Sequence, residues 1–140
     1  MRRMKDLPTL AVVLLCLAFS LYVTGCATPG KPEKVGCEAD IEWQVTSEAQ
    51  ITQFDCSLGT YKDNPALLFE VGIQNVADKP LRYRLNIFLL DMDKAAGHLV
   101  PRTGKPPVLE PGKTNTVKIP FIKTSDMSKK ILVVVKTVGY

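Results

Sequence analysis

The chain has 140 residues, of which 46% are hydrophobic and 23% charged, a composition that is typical of a globular protein and excludes a disordered or collagen-like one. Its net charge of +4 is small, and three of the 18 basic side chains lie before residue 26 against one of the 14 acidic ones. The nearly balanced remainder argues against nucleic-acid binding, and a single histidine argues against histidine-based catalysis.

The N-terminal segment has the composition of a secretory signal. A short cationic stretch containing Arg2 and Arg3 precedes an uncharged apolar run over residues 10–23. As a helix this run would span about 21 Å, less than the roughly 30 Å hydrocarbon core of a bilayer. We therefore predict a cleaved signal peptide in residues 1–25. An uncleaved anchor helix over residues 7–25 is the alternative.

The residues that close this segment are Val23-Thr24-Gly25-Cys26. They resemble the lipobox of bacterial lipoproteins, a family in which the Cys thiol is alkylated with diacylglycerol and the chain is cut just before it. The resemblance implies that Gly25 ends the signal and that Cys26 is the lipidated first residue, with enough acyl chains for stable anchoring. Because Ala27 rather than Asp follows, the resemblance also implies an outer-membrane anchor and a domain that faces the periplasm.

Two cysteines remain once Cys16 has left with the signal and Cys26 is acylated. In an oxidising compartment we predict that Cys37 and Cys56 form a disulfide, with two free buried thiols as the alternative. The sequence has no CxxC motif and only His98 as a further soft ligand, so we predict neither a redox motif nor a zinc site.

The mature chain begins with a segment that contains almost nothing to bury. Residues 27–36 include two Pro, two Gly and three charged residues, so residues 26–36 are predicted to be a flexible tether that reaches about 30 Å. Apolar residues then alternate with polar ones, which predicts β-strands. The predicted strands cover residues 41–45, 54–58, 67–73, 81–89, 98–100, 115–121 and 131–138.

The connections between these strands are short and polar. A Pro-containing connection at residues 77–80 predicts a hairpin between the third and fourth strands. A turn is predicted at residues 93–97, and a single helical turn at residues 125–130.

Seven short strands without an amphipathic helix predict an all-β domain over residues 37–140, an immunoglobulin-like antiparallel β-sandwich, with a barrel as the alternative. The stretch over residues 67–121 resembles bacterial immunoglobulin-like modules, through QNV at 74–76, LEPGK at 109–113 and IPF at 119–121. In length and order it is most similar to small YcfL-like periplasmic lipoproteins. A fold does not imply an activity, so the resemblance leaves the function open.

No motif indicates an active site, and we predict a non-enzymatic protein without a cofactor or a metal. His98 lacks a nucleophile motif and is interpreted as a strand-edge imidazole. Asp91 and Asp93 would share one face of a strand, but an EF-hand would need more oxygen ligands, so we interpret them as solvated turn carboxylates. Met92 and Met127 do not make a copper site with one histidine.

Two surface features point to a binding partner instead. Arg82 and Arg84 share the polar face of one predicted strand, where Lys118 or Lys136 on neighbouring strands would add charge for an anionic partner. The alternative is an ordinary solvated sheet face.

Several predicted strands are apolar on both faces. Their additional apolar residues need cover from the loop at residues 99–112, or else form a partner surface. These residues are Leu68, Phe88, Leu90, Leu132 and Val134.

Together these features predict a lipid-anchored, non-enzymatic module that binds another component of the cell envelope, most simply a protein. Arg82, Arg84, Phe88 and Leu90 are the predicted contact residues. We expect neither a nucleic-acid partner nor a small-molecule substrate. The alternative is a peptidoglycan-binding protein or an inhibitor of a cell-wall-degrading enzyme.

Overall fold

The computed structural model describes residues 30–139, so the predicted signal peptide, its cleavage position at Gly25 and the lipidation site at Cys26 lie outside the described residues. The described chain forms seven strands and no helix, which confirms the all-β prediction. An irregular connection replaces the helical turn expected at residues 125–130. The strands are β1 (Asp40–Val45), β2 (Ala49–Tyr61), β3 (Asn64–Asn75), β4 (Arg82–Leu89), β5 (Lys94–Val100), β6 (Thr114–Ile122) and β7 (Lys130–Val138).

These strands form two sheets that pack face to face as a β-sandwich. The four-stranded sheet has the order β1-β7-β4-β5, and the three-stranded sheet has the order β2-β3-β6. The antiparallel prediction holds for every pair except β1 and β7, which run parallel from Asp40 opposite Lys130 to Val45 opposite Val135. The first strand therefore occupies the edge of the sheet beside the last one.

The predicted hairpin between β3 and β4 is wrong, because these strands belong to different sheets. The connection at residues 76–81 crosses from one sheet to the other, and the buried Asn75 side chain holds it in place. Asn75 Nδ2 donates to the backbone oxygens of Lys79 (2.8 Å) and Leu109 (2.7 Å). Asn75 Oδ1 accepts from the amide of Ala77 (2.9 Å). A polar, Pro-containing connection is compatible with a hairpin or a crossing, so the pattern could not distinguish them.

The actual hairpins join β2 to β3 and β4 to β5. The first turns at Lys62 and Asp63, both in the left-handed region with φ of 48° and 62°. The second turns over residues 90–93, with Asp93 at φ 53°, so β5 begins at Lys94 and most of the turn predicted at residues 93–97 is strand.

The core lies between the sheets and is lined by alternate residues of β2, β3, β4, β6 and β7. Trp43 of β1 contacts Phe54 of the other sheet with ring centroids 5.0 Å apart. Within the three-stranded sheet, Phe69 lies 5.6 Å from Phe54 and 5.5 Å from Phe121. Tyr83 is fully buried and donates its hydroxyl to the backbone oxygen of Glu48 (2.8 Å). Burial, and secondly the charge of Glu48, raises the pKa of Tyr83 to about 12.

The segment before β1 is packed on the domain, which differs from the predicted tether. Gly30 and Pro32 are buried, and the Gly30 oxygen accepts from the amide of Ile51 (2.9 Å). The Gly36 amide donates to the oxygen of Phe54 (2.9 Å). Because β2 is an edge strand, it has free backbone N–H and C=O groups that can form hydrogen bonds with residues 30–36. The polar composition of residues 30–36 gives no indication of this packing.

The predicted Cys37–Cys56 disulfide is confirmed, with Cα atoms 5.3 Å apart. It fastens the end of this packed segment to β2 just before β1 begins.

Candidate functional site

The outer face of the four-stranded sheet carries the residues that the sequence predicts as a partner surface. Inward positions of β4 are fully buried, whereas Arg84 is exposed and Phe88 is half-buried on the opposite side. We call this side the outer face. It is mixed in character, basic toward the start of β4 and apolar toward its end.

The basic part of the outer face is centred on Arg84. Arg84 lies directly opposite Lys136 of β7, as the sequence suggested. Lys118 lies instead on the other sheet, where its Nζ is 3.8 Å from a carboxylate oxygen of Glu70. The Arg82 side chain is already engaged in intramolecular hydrogen bonds, because its guanidinium donates to the backbone oxygens of Pro101 and Arg102 (both 3.2 Å).

The apolar part consists of Phe88, Leu90, Leu132 and Val134, which we call the apolar strip. Phe88 pairs with Leu132 across β4 and β7, and Val134 lies two pairs further along β7, opposite Asn86. Val134 is only 8% exposed, whereas Leu90, just beyond β4, is 55% exposed. The apolar strip is therefore buried at Val134 and exposed to solvent at Leu90.

The loop expected to cover these residues lies at the far end of β4. Leu109 exchanges two backbone hydrogen bonds with Leu81, of 2.7 and 3.1 Å, and Pro101 accepts from Arg82. Phe88 is six residues from Arg82, about 20 Å along an extended strand. Leu68, the remaining apolar outward residue, lies on the other sheet.

A basic cleft adjoins the outer face at the edge of β5. It has a volume of about 410 Å³ and is lined by Arg84, Gly97, His98, Leu99 and Arg102, without a carboxylate among them. Burial, and secondly the charge of Arg102, lowers the pKa of His98. The imidazole is therefore neutral at pH 7, and the two guanidinium groups supply the charge. Such a cleft suits a carboxylate or a phosphate group.

Asp91 and Asp93 both lie in the turn between β4 and β5. The Asp91 carboxylate accepts from the Ser128 hydroxyl and from the Lys129 amide (2.8 Å), and these hydrogen bonds hold its pKa below the usual value. Asp93 occupies the left-handed position of the β4–β5 turn. Asp91 is thus an exposed turn carboxylate, as predicted, and it also caps the connection between β6 and β7.

Within residues 30–139, no group of three or more His, Cys, Asp or Glu side chains is placed to hold a metal ion. The same part of the chain contains no helix long and apolar enough to span a membrane.

A second depression, which the sequence analysis missed, lies on the outer side of the three-stranded sheet. It has a volume of about 280 Å³, with Leu68 and Pro120 side by side and with Asp55, Glu70 and Lys118 among its lining residues. Leu68 was noted as an outward apolar residue, but its neighbour on β6 could be identified only once the strand pairing was known.

Comparisons of the chain with protein-family models, curated proteins and solved structures find no match. The fold defines a two-sheet β-sandwich, and any function has to be argued from the surfaces just described.

Proposed function

We propose that this protein is a lipid-anchored, non-enzymatic module of the bacterial outer membrane that binds another cell-envelope protein through its outer face. The anchor is Cys26, as the lipobox resemblance implies, and the domain faces the periplasm. The sandwich presents the contact surface, and no chemical step is required of it.

The observation that carries this proposal is the apolar strip. Phe88 and Leu132 remain half-buried and Leu90 is 55% exposed, and the loop at residues 101–113 packs at the other end of β4. Contiguous apolar side chains on a sheet face favour a protein partner, because burying them removes apolar surface from water. Arg84 and Lys136 beside the strip favour a partner with acidic groups around an apolar contact.

Site-specific photo-crosslinking in cells tests this proposal directly. A photo-reactive residue at position 90 is expected to give a crosslinked product of defined mass. The matched control is position 58, since Leu58 is 49% exposed, much like Leu90, but belongs to β2 of the other sheet. No product from position 90, or the same products from both positions, would contradict the proposal.

The anchor has its own test. Mass spectrometry of the native protein should show an acylated N-terminal Cys26, and Cys26→Ser should leave the leader uncleaved. An intact N-terminus with a free thiol at position 26 would remove the basis for the membrane location.

Peptidoglycan binding is the second candidate, and the basic cleft is the observation that favours it. Arg84 and Arg102 line it without a carboxylate, so the free carboxylates of wall peptides are suitable ligands. Arg102→Glu should then abolish co-sedimentation with purified sacculi, whereas Lys62→Glu, with the same change of charge in the β2–β3 turn, should not. Equal sedimentation of both variants would show that the basic cleft is not the site of peptidoglycan binding.

A further inference from the structure

The packed segment before β1 limits how far the domain can lie from its anchor. Gly30 is held at the start of β2 by the hydrogen bond from Ile51. An ideal Cβ on Gly30 would lie 2.6 Å from a Val45 methyl group, which places Gly30 beside the end of β1. Only residues 27–29 separate Gly30 from Cys26, so the Cα atoms of Gly30 and Cys26 are at most about 14 Å apart.

Gly30 lies at one particular end of the sandwich. Three connections meet there, at residues 46–48, 76–81 and 101–113, and we call this the basic end. The connections at residues 62–63, 90–93 and 123–129 form the opposite end. A nine-residue strand such as β7 extends about 30 Å between the two, twice the reach of the anchor segment.

The two ends differ in charge. Gly30–Lys31 and the three connections of the basic end carry five basic and three acidic side chains, against three basic and four acidic at the opposite end. The described residues contain two ion pairs, and of these only Lys79 with Glu48 (3.8 Å) lies at the basic end. Four exposed basic side chains of that end therefore have no carboxylate partner among residues 30–139: Lys31, Arg102, Lys105 and Lys113.

We propose that the basic end docks on the head groups of anionic phospholipids, so that the domain stands on the membrane that its anchor enters. This inference rests on the lipid anchor at Cys26 in the proposed function. Lys and Arg side chains donate charge-assisted hydrogen bonds to phosphate oxygens, and basic residues near an anionic leaflet are attracted to its surface potential.

Docking in this way also orients the contact surface. Leu90 and Phe88 lie at the end of β4 that is remote from the basic end. The apolar strip is thereby kept away from the lipid and is presented sideways to a periplasmic partner. The membrane orients the domain, and the outer face remains free to bind.

The test is lysine acetylation of the mature lipidated protein in vesicles of phosphatidylcholine alone and of phosphatidylcholine with phosphatidylglycerol. On the anionic vesicles at low salt, Lys105 and Lys113 should react about tenfold more slowly than on the neutral ones, since each basic residue near the surface favours docking about fivefold. Their reactivity should recover at about 1 M salt, where the screening length is about 3 Å. Lys62 and Lys123 at the opposite end are internal controls and should not change.

A charge reversal gives the matched comparison. The double variant Lys105→Glu/Lys113→Glu should remove the protection of Lys31 on anionic vesicles. Lys62→Glu/Lys123→Glu carries the same change of charge at the opposite end and should preserve it.

The possible outcomes distinguish a failure of the docking proposal from a failure of the lipid anchor. If the protein floats with the vesicles but Lys105 and Lys113 react equally fast on both lipids, the docking proposal is overturned and the anchor stands. Protection that persists on neutral vesicles or at about 1 M salt would also overturn it, because the short tether alone would then be responsible. A native protein with an unmodified Cys26 would instead refute the anchor itself.

Discussion

One buried amide, that of Asn75, joins three segments of this sandwich. Its side chain binds the β3–β4 connection through Ala77 and Lys79 and reaches across to the oxygen of Leu109. Its backbone completes the junction, because the Asn75 oxygen accepts from the Gly112 amide (2.8 Å). The QNV and LEPGK sequences, which carried the resemblance to immunoglobulin-like modules, therefore meet at this residue.

Asn75→Ala should lower the free energy of unfolding by about 3 kcal/mol, because it leaves buried backbone groups with fewer partners. The measurement is equilibrium denaturation in urea. Gln74→Ala is the neighbouring control: its side chain donates to the Gly112 oxygen at 3.2 Å in an exposed position, so its loss should cost less than about 1 kcal/mol. Equal losses in the two variants would contradict the assigned role of Asn75.

Asp91 provides a pH-dependent contribution to stability. Hydrogen bonds from Ser128 and from the Lys129 amide hold its pKa below the usual value of about 3.9. A carboxyl group whose pKa is lowered by folding stabilises the protein above its unfolded pKa, and this contribution is lost as the pH falls through the folded pKa.

Asp91→Asn should therefore be less stable than the wild type at pH 7, and the difference should disappear in acid. Chemical denaturation at a series of pH values measures this. Asp93→Asn is the control, since Asp93 is an exposed turn residue at φ 53° and Asn tolerates that conformation. A pH-independent difference for Asp91→Asn would show that the ionisation of Asp91 is not the source of its contribution to stability.

The strands show where sequence patterns succeed and where they do not. All seven predicted strands overlap observed ones, because period-two alternation reports directly that one face of a strand is buried. Alternation does not report which sheet a strand joins. The β3–β4 connection was therefore interpreted as a hairpin, whereas the true hairpin between β2 and β3 was missed because Lys62-Asp63 lacks the usual Asn-Gly signal.

Asp63→Gly should stabilise the protein by about 0.5–1 kcal/mol, because Gly adopts a positive φ without the steric penalty of a side chain. Thermal or urea unfolding provides the measurement. Asp63→Val should have the opposite sign, since a β-branched residue is strained at φ 62°. Stabilisation by both substitutions would show that the carboxylate, not the backbone, is the source of strain.

In the complete domain, the segment from Gly30 to Cys37 packs along the edge strand β2. Backbone hydrogen bonds attach this segment to β2 at Ile51 and Phe54, and the disulfide to Cys56 fixes its end. The disulfide spans a sequence separation of 19 residues, and β1 lies within the loop that it encloses. β1 is thus attached to the sandwich by its pairing with β7 and by covalent constraints on both sides.

Cys37→Ala/Cys56→Ala should lower the free energy of unfolding by about 3 kcal/mol, as expected for a disulfide loop of this length. Hydrogen exchange at the Gly36 amide should accelerate, while exchange in the core of β3 and β4 should change only with global stability. Unchanged exchange at Gly36 would show that the hydrogen bond to Phe54 holds the segment without the disulfide.

The sequence predicted part of the candidate site, just as it predicted part of the fold. The outward positions of Arg84 and Phe88 follow from alternation along one strand, so their places on the outer face could be predicted. The basic cleft could not, because Arg102 belongs to a loop whose path depends on contacts with Leu81 and Arg82. Its approach to Arg84 is therefore a property of the folded chain.

Local information in the amino-acid sequence was enough for the β class, the number of strands, most of the inward residues and the disulfide, since these depend on short-range periodicity and on the count of cysteines. The division of strands between sheets, the parallel pairing of β1 with β7 and the packing of residues 30–36 on β2 required the folded structure. These features depend on backbone hydrogen bonds between distant segments. Such bonds are nearly independent of side-chain identity, so the sequence carries little record of them.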